Sequence, residues 1–218
     1  MGRPLLVAVA MLALPGCVAP FYVHRGPILP VKEWSVHGGV STSNRFWDPG
    51  ESYYMALVDL AVGVGHDTEL TVRLSTVDPV SVGARVRLVE GSGLALDVGP
   101  RMGWYHFQNS PIQGLNLHLP VVVSLSADTF DVYLAGLGYW DSIRTGKYYT
   151  TNLPDRPVMT IGAGGAIGLR VKMGSLVLIP EMSVLAPIRG QFLQVVNYTS
   201  YATPGPVWQI GLGVGANR

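Results

Sequence analysis

From about residue 33 to the end, apolar and polar residues alternate with period two, the signature of half-buried strands. In Ser81-Val82-Gly83-Ala84-Arg85-Val86-Arg87-Leu88, one face carries Val82, Ala84, Val86 and Leu88, and the other carries Ser81, Gly83, Arg85 and Arg87. The segment before it sets Leu70, Val72 and Leu74 against Glu69, Thr71 and Arg73. Segments of this kind recur at roughly 34–43, 55–65, 68–76, 80–89, 94–105, 115–125, 129–140, 159–171, 175–185 and 206–216. The pattern predicts ten strands and no helix.

Four connections are short and rich in Gly, Asp or Ser: His66-Asp67, Glu90-Gly91-Ser92-Gly93, Ser126-Ala127-Asp128 and Lys172-Met173-Gly174. Most alternate connections are longer, at about 44–54, 106–114, 141–158 and 186–205, with Val77-Asp78-Pro79 the short exception. Hairpins throughout, with turns and loops sorted to opposite ends, describe an up-and-down antiparallel sheet. An even strand number brings both termini to the turn end.

Composition says which face meets what. Charged residues are 13% of the chain and hydrophobic ones 48%, with a mean hydropathy of +0.31. About 25% charge is usual for a soluble domain, so this chain is poorly supplied to cover a wet surface. After residue 20 no apolar run reaches the roughly 18 residues of a spanning helix. Apolar surface without a helical span implies a closed barrel whose outside faces lipid. The expected fold is therefore all-β: a closed, up-and-down transmembrane β-barrel of about ten strands, with eight or twelve as alternatives. A net charge of +1 leaves no electrostatic footprint for nucleic acid.

With the apolar face outward, Arg73, Arg85, Arg87, Arg101 and Arg170 turn inward with Asp59, Glu69, Asp97, Asp131 and Glu181. Five charges of each sign predict a lumen filled by salt bridges rather than an ion-selective pore. Gly162, Gly164 and Gly168, and Gly211, Gly213 and Gly215, fall on the inward face, where they are expected to make room for bulky or charged side chains across the barrel or to let the strands bend. Aromatic girdles are expected at both rims: Tyr53, Tyr54, Trp104, Tyr105, Tyr139, Trp140 and Trp208 at the loop end, Trp34 and Phe130 at the turn end.

Residues 1–16 read as an export signal: Arg3 followed by the apolar Pro4–Leu14, which is too short to span as a mature helix. The chain's single cysteine closes Leu14-Pro15-Gly16-Cys17. This stretch resembles the lipoprotein box of bacteria, with Pro15 where Ala or Ser is usual. The resemblance implies cleavage before Cys17 and acylation of its thiol and new amino group with palmitate-type chains. Two or three such chains anchor stably where one is marginal. Val18 stands where an aspartate would resemble the inner-membrane retention signal. The expected organisation is a signal peptide at 1–16, a lipidated periplasmic tether at 17–32 and a barrel at 33–218. In pattern, the last region resembles the small outer-membrane barrels of bacteria, although the chain ends Gly215-Ala-Asn-Arg218 where those usually end in an aromatic residue.

Candidate chemistry is sparse. The five histidines, His24, His37, His66, His106 and His118, show no metal-ligand spacing, and the glycine run from 162 lacks the ending and helix of a phosphate loop. Neither a metal nor another cofactor is expected. His106, Ser110, Asp141 and Ser142 fall near the outer rim without an informative spacing, and no GxSxG elbow occurs. The leading expectation is a lipid-anchored outer-membrane barrel, not an enzyme, with its N-terminus on the periplasmic side and a structural or partner-binding role. A protein partner would dock on loops 141–158 and 186–205, which carry Tyr148, Tyr149, Phe192, Tyr198 and Tyr201. Two alternatives stand beside it: a lipid-modifying enzyme in the same barrel, and a lipid-tethered, lipocalin-like periplasmic binder with Arg85 and Arg87 outside.

Overall fold

The structure, a computed structural model, describes residues 26–44, 52–75, 80–106, 113–144, 158–190, 192–196, 199–203 and 206–216. Its strands are β1 (Trp34–Asn44), β2 (Ser52–Gly65), β3 (Thr68–Ser75), β4 (Val80–Gly91), β5 (Leu94–Val98), β6 (Arg101–His106), β7 (Gln113–Ser126), β8 (Phe130–Arg144), β9 (Val158–Met173), β10 (Leu176–Arg189), β11 (Phe192–Val196), β12 (Thr199–Thr203) and β13 (Val207–Ala216). All but β11 and β12 join one antiparallel sheet. That sheet closes on itself because β1 pairs with both β2 and β13, while β3–β4 and β6–β7 complete the ring. β5 and β6 are two halves of one stave, so the barrel has ten. The split falls at Gly99-Pro100, where the proline has no N–H to give the ladder. Its carbonyl still accepts from the Ala84 N–H (3.1 Å), and the Gly99 N–H donates to the Pro120 carbonyl (3.0 Å).

Alternation decides which side of each stave is inside. Along β3, Glu69, Thr71, Arg73 and Ser75 are buried while Leu70, Val72 and Leu74 are exposed. The same inversion of the usual globule runs round the barrel, with Val82, Leu119, Leu134, Ile167, Met182 and Leu212 all outward. A lipocalin-like register, with Arg85 and Arg87 outside, is therefore excluded: Arg85 is buried and Leu88 lies on the outer face.

Each expected strand became a stave, but several run further. β8 continues to Arg144, because Asp141–Arg144 keeps its pairing with Gln113–Asn116. Backbone pairing outlasts the apolar belt, since a ladder needs only a partner strand and not alternating side chains. Within the expected loop 186–205, β11 and β12 form a separate hairpin. At the opposite end, Ser92 (φ 50°) and Gly93 (φ 81°) form a two-residue turn of the mirror-image type that suits twisted strands.

Residues 26–33, of which 26–32 were expected as part of a tether, lie against the inside of the turn-end mouth. Val31 forms a parallel bridge with Gly63 of β2, supported by the Lys32 N–H to the Gly63 carbonyl (2.9 Å) and the Gly63 N–H to the Glu33 carbonyl (2.9 Å).

Candidate functional site in the barrel lumen

The lumen is built from cross-strand pairs of opposite charge. Asp59 on β2 stands opposite Arg73 on β3, Glu69 on β3 opposite Arg85 on β4, Arg87 on β4 opposite Asp97 on β5, and Asp131 on β8 opposite Arg170 on β9. Directly opposed residues on one face lie within reach of each other, so the strand register itself makes these pairs.

Three clusters result. In the first, Arg73 Nε donates to Asp59 Oδ1 at 2.9 Å, and Arg101 Nη2 lies 3.8 Å from the same oxygen. In the second, Arg85 Nε is 3.3 Å from Glu69 Oε1 and 3.9 Å from Asp97 Oδ2, while Arg87 Nε donates to Asp97 Oδ1 at 2.8 Å. Arg87 also reaches the exposed Glu90 at 3.1 Å. In the third, Asp131 is shared by Arg170 (2.8 Å) and Lys172 (2.8 Å). Lys172 was read as a turn residue; it is in fact the inward end of β9, and its ammonium also donates to the Ala127 carbonyl (2.7 Å). Its position two residues beyond Arg170, on the same face of the strand, was the available signal. Glu181 accepts a hydrogen bond from the Tyr133 hydroxyl.

That last contact depends on a glycine. Tyr133, Gly168 and Glu181 occupy one row across β8, β9 and β10. The tyrosine lies over the glycine so closely that a Cβ there would stand 2.2 Å from its ring. His37 lies over Gly215 of β13, its cross-strand neighbour, in the same manner. The most deeply buried of the ion pairs, Asp59–Arg73 and Asp131–Arg170, are costly to break: removing one partner of a buried ion pair typically loses about 3–5 kcal/mol. The lumen thus acts as a set of rivets between adjacent staves.

The expected girdle is only partly formed. Trp34 and Phe130 at the turn end and Trp104 at the loop end are exposed on the outer face, with Trp140 and Trp208 half-buried. Tyr139 is a correction: it is an inward residue, buried, with its ring 4.8 Å from that of His118. Strand parity explains this, since Tyr139 and Trp140 are neighbours and cannot share a face. The side chains of Tyr53, Tyr54 and Tyr105 lie outside the described residues. So do Cys17, Ser110, the side chain of His106 and most of loop 141–158. Asp141 is buried while the adjacent Ser142 occupies the opposite face of β8, so strand parity separates these two rim candidates. Among the described residues, no group of three His, Cys, Asp or Glu is arranged to hold a metal ion.

No protein-family model and no curated protein sequence matches the chain. Solved structures do. The β domain of the Bordetella autotransporter Brka is 12% identical over 87% of this chain and 100% of its own, with a TM-score of 0.43. Neisserial surface protein A is 9% identical over 85% and 97%, with a TM-score of 0.38. The outer membrane protein OprG from Pseudomonas aeruginosa is 11% identical over 85% and 96%, with a TM-score of 0.38.

Proposed function

We propose that this protein is a lipid-anchored β-barrel of the bacterial outer membrane, with a structural or partner-binding role rather than a catalytic one. The observation that carries the reading is the inverted barrel: a closed wall apolar on the outside, around an interior of buried ion pairs. A water-soluble barrel would reverse that order, and a bilayer is the solvent in which it is stable. Turns and termini share one end, which supports a periplasmic N-terminus next to an acylated Cys17. The opposite end, with the β11–β12 hairpin, is the face a partner would meet. The ion pairs act as a rigid filling that keeps the wall in register and leaves the lumen without a charged permeation path.

The test compares wild type with Cys17→Ala in outer-membrane fractions, by gel mobility before and after boiling and by incorporation of labelled acyl chains. A compact, fast-running species in both proteins, with acyl label only in wild type, is expected. Absence of any mobility shift, with Cys17→Ala released as a soluble periplasmic protein, would overturn the membrane barrel.

A further inference from the structure

The segment 26–33 makes more contact with the lumen than a passive tether needs. Gly26 is buried, and its carbonyl accepts from Arg85 Nη2 at 2.7 Å. It adopts φ +90°, a conformation that favours glycine, and a Cβ on it would meet the Arg170 guanidinium at 2.8 Å. Three residues later, the Leu29 N–H donates to Glu69 Oε2 at 3.3 Å. On the wall, Gly63 supplies a notch: a Cβ there would stand 2.1 Å from the Pro30 carbonyl oxygen and 2.4 Å from that of Leu29. The segment therefore bonds to the Glu69–Arg85 cluster and lies close against Arg170 of the Asp131 cluster. Between it and the wall lies a cavity of about 660 Å³ that is partly open at the turn-end rim, where Glu33, Trp34 and Ala216 line it, and that runs inward past Ser35 and His37 to Arg170 and Lys172.

We propose that residues 26–33 are a closing strap, seated by the Gly63 notch and the Arg85–Gly26 contact, whose release exposes the inner part of this chamber, around Ser35, to polar solutes from the turn end. The inference rests on the membrane-barrel reading, which gives that end its aqueous, periplasmic side. The two halves of the seat can be altered independently. Gly63→Leu fills the notch from the wall, whereas Gly26→Val blocks the seating from the strap and changes no residue of a stave.

The reporter is Ser35→Cys in a Cys17→Ala background, giving one thiol on an inward position whose native hydroxyl is buried. The purified protein in detergent is treated with a charged, water-soluble maleimide, and its fold is checked by heat-modifiable mobility. The strap predicts slow labelling in the parent and at least tenfold faster labelling in both Gly63→Leu and Gly26→Val, with the folded mobility retained. Equal labelling rates in parent and in Gly26→Val, both still heat-modifiable, would overturn the strap and leave the barrel standing. Absence of a heat-modifiable species in the parent itself would overturn the membrane barrel, and the strap with it.

Discussion

Asp59 sits between two arginines with almost no access to solvent, while its neighbour Val58 points out of the barrel. Asp59→Ala leaves the buried Arg73 without that carboxylate, and a loss of about 3–5 kcal/mol is expected. Val58→Ala trims an outward side chain that apolar solvent can replace, and should cost under about 1 kcal/mol. Urea midpoints in lipid vesicles, with two-state behaviour verified, measure the contrast; equal losses would mean that strand parity does not set the inside. A second pair of residues tests the glycine row. Gly168→Ala forces a methyl against the Tyr133 ring and should cost about 1–3 kcal/mol, as overpacking does. Combining it with Tyr133→Leu should cost less than the sum of the two single changes, and strict additivity would remove the proposed contact. That inward glycines leave room for large neighbours was legible in the sequence. Which neighbour each one serves was not, because cross-strand register depends on where pairing begins in every hairpin.

Staves obey a different rule from residues, since a whole strand is inside or outside by one shared parity. On β8, Leu134 is the most outward central position (62% exposed), whereas Leu176 begins β10 at the turn end. If a bilayer surrounds the wall, Leu134→Arg should cost about 2–4 kcal/mol and Leu176→Arg only about 0–1 kcal/mol. Folding equilibria into phospholipid vesicles would measure both, and equal costs would argue against a membrane centred on the belt. The strands were readable in advance because alternation is forced wherever one face is apolar. Their loop-end extensions were not: Asp141–Arg144 carries on the backbone pairing past the apolar alternation. The hairpin Phe192–Val196 with Thr199–Thr203 was hidden for a related reason, since it pairs locally and never joins the barrel ring. Tyr139 was assigned to the outer girdle because aromatics were read by height along the strand; parity put it inside with His118.

At the scale of the whole molecule, the proposed anchor at Cys17 and the proposed strap fall on one continuous segment of sequence. From Cys17 to Gly26 there are nine residue steps, which in full extension span at most about 30 Å. If Cys17 is acylated as proposed, it is confined to the membrane near the turn-end rim, and the strap would be held at its seat from both sides. Shortening the segment converts that confinement into tension. Deleting residues 18–23 leaves three steps, about 10 Å of reach, and places the membrane-held cysteine in competition with the Gly26 seat. In the acylated protein, this deletion should raise maleimide labelling of Ser35→Cys toward the rate of Gly26→Val. In the Cys17→Ala background the same deletion has nothing to pull against, and labelling should stay at the parent rate. Faster labelling in both backgrounds would mean that residues 18–23 hold the strap by direct contact. Unchanged labelling in both would mean that anchor and strap are mechanically independent. Only a difference that depends on the acyl chains makes the lipid part of the closure.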